Sequence, residues 1–87
     1  MEKQDIFIKE IKELAKRFTS EEIESCIQQQ LKEGENICDV KGPVEYVIGE
    51  LAKAEFVKKL MEEGMSISDA VRELARRIRL VQRGFKE

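Results

Sequence analysis

Hydrophobic residues recur at helical spacing along this chain, and three short polar stretches interrupt them. In the first segment Phe7, Ile11, Leu14 and Phe18 follow 4-3-4 spacing with Ile8 and Ala15 beside them, which predicts an amphipathic helix over 2–17. The stretch "FTSEE" then stops one helix and starts another. Thr19 and Glu22 have capping-box spacing, and Phe18 with Ile23 occupies the flanking positions of a hydrophobic staple. A second helix over 20–33 follows, burying Ile23, Cys26, Ile27 and Leu31 and ending at Gly34. The stretch "GENICDVKGP" is the least regular part of the chain. Asn36 and Asp39 there suit one capped helical turn before Gly42 and Pro43 break it.

Pro43 fits the first turn of a third helix over 43–63, because its missing N–H costs nothing there. Val44, Val47, Ile48 and Leu51 share one face of this helix. Ala54, Val57, Leu60 and Met61 share another, turned by more than a quarter turn at about 100° per residue, and Phe56 belongs to neither. Either the helix breaks near Gly49, or it is straight and covered by different neighbours at its two ends. A single glycine is a weak breaker, so the straight helix is expected. Gly64 ends it, Ser66 and Asp69 repeat the capping-box spacing, and a fourth helix over 67–83 begins. Ile67, Val71, Leu74, Ile78, Val81 and Phe85 repeat 4-3-4-3-4, the spacing of a coiled-coil-like seam that serves a core or a dimer contact. These segments predict an all-α fold: one domain, a bundle of about four helices with the third in the centre. Segments 31–39 and 61–69 also echo each other ("LKEGENICD", "MEEGMSISD"), the mark of two helix-stop, helix-start junctions built from one chemistry.

Charge changes the picture only locally. The net charge is −2, so no global field draws the chain to nucleic acid or to a membrane. Residues 1–65 nevertheless carry a net of −5 and residues 66–87 a net of +3. No apolar run exceeds Ile6-Phe7-Ile8, too short for a transmembrane or signal segment, and a cytoplasmic location is expected. Abundant Lys, Glu and Arg beside a single Asn lean towards a thermophilic source.

The stretch "LMEEGMSISDAVRELARR" looks like the opening of a bacterial helix-turn-helix. If Gly64 were its central turn, position 73 would hold an apolar anchor, but it holds Glu73. If Gly64 preceded the motif, a second turn would fall near Leu74 to Arg77, and no breaker occurs before Gly84. Neither placement yields the two helices in order, so the likeness is one of capping chemistry.

Opposite the apolar seam, Arg72, Arg76, Arg79 and Arg83 fall within roughly 60° of arc along one edge of the fourth helix. Arginine forks suit carboxylates and phosphates, which makes this row a candidate interaction face. Solvation or pairing within the chain is the first explanation: Asp69 is spaced to meet Arg72, and Glu73 to meet Arg76 or Arg77. An acidic protein partner, a second copy included, ranks ahead of nucleic acid, since the row has no aromatic residues to stack on bases.

Chemistry for catalysis is sparse. The chain has no histidine and no phosphate-binding loop, and its two cysteines, twelve positions apart, match no zinc or redox spacing. Both are expected as reduced thiols, Cys26 in a helical core stripe. Cys38, outside the stripes and beside Asp39 and Lys41, is the more exposed to reaction. No cofactor, metal or enzymatic activity is expected. The leading expectation is a homodimeric helical protein acting by protein–protein contact, because Phe56 and Leu80 add apolar surface beyond the main stripes.

Overall fold

The computed structural model describes the backbone of residues 2–85 and the side chains of residues 8–81. Four helices follow one another: α1 (Glu2–Arg17), α2 (Ser20–Glu33), α3 (Val44–Glu62) and α4 (Ile67–Phe85), with no strand among the described residues. The first two match the periodicity residue for residue. Pro43 stands at the N-cap of α3 rather than inside it, and α4 continues through Gly84 to Phe85.

Local hydrogen bonds make the junctions. At Thr19 the hydroxyl accepts from the Glu22 N–H at 3.1 Å, and the Glu22 carboxylate accepts from the Thr19 N–H at 2.8 Å, a complete capping box. A long-range contact reinforces it. Glu62, in the last turn of α3, accepts from the Ser20 N–H at 3.1 Å and from the Ser20 hydroxyl at 2.8 Å. The start of α2 is thus bound to the end of α3 by a carboxylate placed where the helix dipole favours one. Gly34 closes α2 in the left-handed region (φ 78°), its N–H donating to the Gln30 carbonyl at 3.0 Å. At the start of α4 the Ser66 hydroxyl accepts from the Asp69 N–H at 3.1 Å, while the Asp69 carboxylate engages Arg72. Asn36 occupies the place of Ser66 in the earlier junction and caps only a single turn, its carboxamide oxygen accepting from the Val40 N–H at 3.2 Å.

The third helix is central, as its two-faced pattern implied: α1, α2 and α4 all pack on it. It is continuous through Gly49. Its fully covered positions are Val47, Glu50, Leu51, Ala54 and Val57, a single stripe that drifts round the helix and includes one carboxyl. Ile11, Leu14 and Ala15 from α1, Ile23 and Cys26 from α2, and Ala70, Val71 and Leu74 from α4 complete the core. Phe56, outside both expected faces, packs at the edge of this core, and the Arg77 guanidinium lies over its ring at 5.6 Å. It is therefore partly covered within one chain.

Three expectations require correction. Leu31 is 61% exposed, and Gln30 is buried beside it instead. The loop after α2 folds back over Gln30, whose carboxamide oxygen accepts from Asn36 Nδ2 at 2.8 Å, so the polar residue is satisfied inside while the apolar one is left out. Val44 is half-exposed at the first turn of α3, beyond the reach of its neighbours. The cysteines are not free thiols: Cys26 and Cys38 form a disulfide, with their Cα atoms 6.1 Å apart. Asn36 donates to the Val40 carbonyl and Gln29 accepts from the Ile37 N–H. These bonds draw Cys38 and Val40 into the core against Cys26. The twelve-residue spacing belongs to no motif, yet the returning loop brings the two sulfurs together.

The disulfide closes a loop whose ends are separated by 12 positions. Constraining a loop of that size in the unfolded chain contributes about 3 kcal/mol. Replacing both cysteines by alanine should therefore lower Tm by roughly 10–20 °C in thermal unfolding followed by circular dichroism. Neither cysteine should alkylate under native conditions before reduction. Rapid labelling of Cys38 by iodoacetamide without reductant would contradict the bond.

Candidate interaction face

The seam and the arginine row share α4, and the structure treats their two ends differently. Val71 and Leu74 are buried, while Ile67 and Ile78 pack part-buried at the margin of the core. Beyond Ile78 the apolar positions lose their cover: Leu80 is 46% exposed and Val81 56%. Among the described residues the seam thus passes from core at Leu74 to surface at Val81. The side chains of Arg83 and Phe85, which would extend the row and the seam, lie outside the described residues.

Arg72 and Arg76 both pair one helical turn back. Arg72 meets Asp69 at 3.2 Å, and Arg76 grips both oxygens of the Glu73 carboxylate through Nε and Nη2. Arg77 also reaches Glu73, at 3.4 Å. The donors of Arg76, and then of Arg77, hold the Glu73 carboxyl below the ordinary carboxylate range, and the same contact raises the Arg76 guanidinium. Among the described residues Arg79 pairs with no carboxylate. Two arginines of the row, Arg72 and Arg76, are therefore matched within the helix by exposed pairs, which are individually weak. A phosphate backbone approaching this face meets Asp69 and Glu73 together with the arginines.

A second cluster escapes sequence reasoning. Glu50 is only 2% exposed, and its Oε2 has no hydrogen-bond donor among the described residues. The Lys53 ammonium stands 3.8 Å from the other oxygen. From α1, Glu10 reaches the same place and accepts from the Tyr46 hydroxyl at 2.7 Å. Gly42 (φ 135°) lies against this tyrosine: a Cβ there would come within 3.2 Å of the ring. Burial, first, and the neighbouring Glu10 carboxyl, second, push the Glu50 carboxyl up to about 7, against the smaller pull of Lys53. The hydrogen bond to Glu10 is the main reason that the Tyr46 phenol is pushed up to about 12. The one signal in the sequence was position, since Glu50 falls three residues after Val47 and four before Ala54.

Across α3, Glu55 and Glu24 form another carboxyl pair. Burial and Glu24 raise Glu55, and Gln28 lowers Glu24. Both belong to a shallow groove of about 280 Å³ with Ser20, Glu21 and Lys59. Among the described residues no group of three or more His, Cys, Asp or Glu side chains is arranged to hold a metal ion. No helix is long and apolar enough to cross a membrane.

The fold and this face define a four-helix all-α protein with an amphipathic last helix. Compared with known proteins, the chain matches no family model, no curated protein and no solved structure.

Because Arg76 makes only an exposed local pair and Arg79 pairs with no carboxylate among the described residues, Arg76→Gln with Arg79→Gln should leave the fold intact and shift Tm little. Neither protein should bind labelled duplex or single-stranded oligonucleotides at micromolar concentration in about 50 mM salt, where phosphate binding is strongest. Binding by the wild type that the double variant loses would assign the row to phosphate.

Proposed function

We propose that this chain is a small protein–protein contact module that self-associates through the C-terminal half of α4. The observation that carries the reading is the uncovering of the seam: Leu74 is buried, Ile78 is half-covered and Val81 is 56% exposed, while Leu80, off the seam, adds a further aliphatic side chain at 46%. Exposed aliphatic side chains that continue a core seam are best covered by a matching surface, and a second copy supplies one by twofold symmetry. Arg79 stands on the side of α4 opposite the seam and suits an acidic side chain from a further protein. The reading includes no catalysis, no cofactor and no nucleic-acid partner.

The same proposal places the protein in a cytoplasm. The Cys26–Cys38 bond then requires one where disulfides persist, as in hyperthermophilic cells, and the charged, asparagine-poor composition suits that setting.

Light scattering at micromolar concentration should give twice the chain mass of 10.1 kDa. Replacing Leu80 and Val81 by glutamate should restore the monomer with unchanged helix content, since neither side chain is buried. Like charges facing across a symmetric contact should raise the dissociation constant by roughly a hundredfold or more. A wild-type mass of one chain at high concentration would remove the dimer from the proposal.

A further inference from the structure

Glu10, Tyr46 and Glu50 join α1 to α3 through groups that cannot all be satisfied without a proton. Glu50 is shut off from water, its Oε2 lacks a donor, and the Tyr46 hydroxyl is already committed to Glu10. Glu10, held at this place by Tyr46, is the carboxyl that acts on Glu50. Two ionised carboxylates offer only lone pairs to each other and repel. One shared proton turns the same contact into a hydrogen bond. The charged groups that act on Glu50 are Glu10 from α1 and Lys53 from the next turn of α3; α2 and α4 contribute none among the described residues. At 3.8 Å and part-exposed, Lys53 compensates only in part.

We propose that Glu10, Tyr46 and Glu50 form a pH-sensitive latch that holds α1 on α3 at acidic pH and slackens as pH rises to neutrality. With the proton in place, Tyr46 donates to Glu10 and the two carboxyls bond to each other, and Ile11, Leu14 and Ala15 of α1 are held in the core. When the proton leaves to solvent, a second negative charge forms in a site closed to water. The least costly relief is for α1 to lift, because α3 is pinned on its other sides by α2 and α4. The device needs no ligand and does not depend on the self-association proposed above.

The sign follows from linkage. Glu50 ionises at about 7 in the folded chain and near its ordinary 4.5 when unfolded, so the folded state holds the extra proton between those values. Its contribution is fully present below about 4.5 and is lost as pH rises to 7, with no further loss above. Across that window the latch-opening equilibrium should rise by up to about tenfold per pH unit.

Three measurements decide the matter. In carbon-detected NMR the Glu50 carboxyl should titrate near neutrality. Native-state hydrogen exchange, corrected for intrinsic rates, should show α1 amides opening more as pH rises from 5 to 7, while α2 amides barely respond. In Glu50→Gln the steep response should disappear, and the difference between the two proteins separates Glu50 from the Glu24–Glu55 pair. Glu10→Gln provides the same test if Glu50→Gln fails to fold: its carboxamide still accepts from Tyr46 and donates to Glu50, so α1 should stay closed at pH 8. A Glu50 carboxyl titrating near 4.5 would overturn the latch, as would the same pH response in the wild type and both variants. Equal opening of α1 and α2 would replace it with a general loss of stability.

Discussion

The covered stripe of α3, from Val47 to Val57, is the contact on which the other three helices depend. Each neighbour places its own apolar residues against that helix, and α1 and α4 meet each other only slightly. Without α3 the remaining helices have almost no common surface. This also explains the pattern that looked like two half-helices. A rod packed by three partners is buried at different azimuths along its length, so its apolar positions drift round the axis. The helix itself stays continuous through Gly49.

Covering one helix from three sides leaves few places for polar groups, and those present are tied to defined roles. Glu62 caps the start of α2, Gln30 receives the returning loop, and Glu50 meets Glu10 between α1 and α3. The first two find donors in the backbone or a carboxamide and are satisfied at any pH near neutral. Glu50 does not, and its deficit is chemical rather than steric: a carboxylate beside a carboxylate lacks a proton, not space. In a chain of 87 residues, with little core to spare, one such group is a notable fraction of marginal stability. Its presence in the central stripe is the most direct reason to look for regulation there.

The last helix carries two chemistries that separate along its length. Near its start, Val71 and Leu74 belong to the core, and Asp69 and Glu73 neutralise Arg72 and Arg76. Further on, among the described residues, Val81 is 56% exposed and Arg79 meets no carboxylate. Under the reading proposed above, these aliphatic and cationic positions, on different sides of the helix, are contacts for protein rather than nucleic acid. Bases would need stacking surfaces that it lacks, and a phosphate chain would run past the acidic residues interleaved with the arginines.

Helix boundaries were legible in the sequence because capping is decided within about four residues, and Thr19 with Glu22 or Ser66 with Asp69 holds its own answer. The α4 seam was legible for the same reason, since its period is local. What the chain does between α2 and α3 was not. The burial of Gln30 in place of Leu31 and the joining of Cys26 to Cys38 both follow from the path of the returning loop. So does the inward turn of Val40. That path is set by hydrogen bonds from Asn36 and Ile37 to residues six and eight positions back, which no periodicity encodes. The burial of Glu50 is the same kind of fact: a glutamate reads as surface in any local window. Only the approach of α1 from the far end of the sequence removes its water.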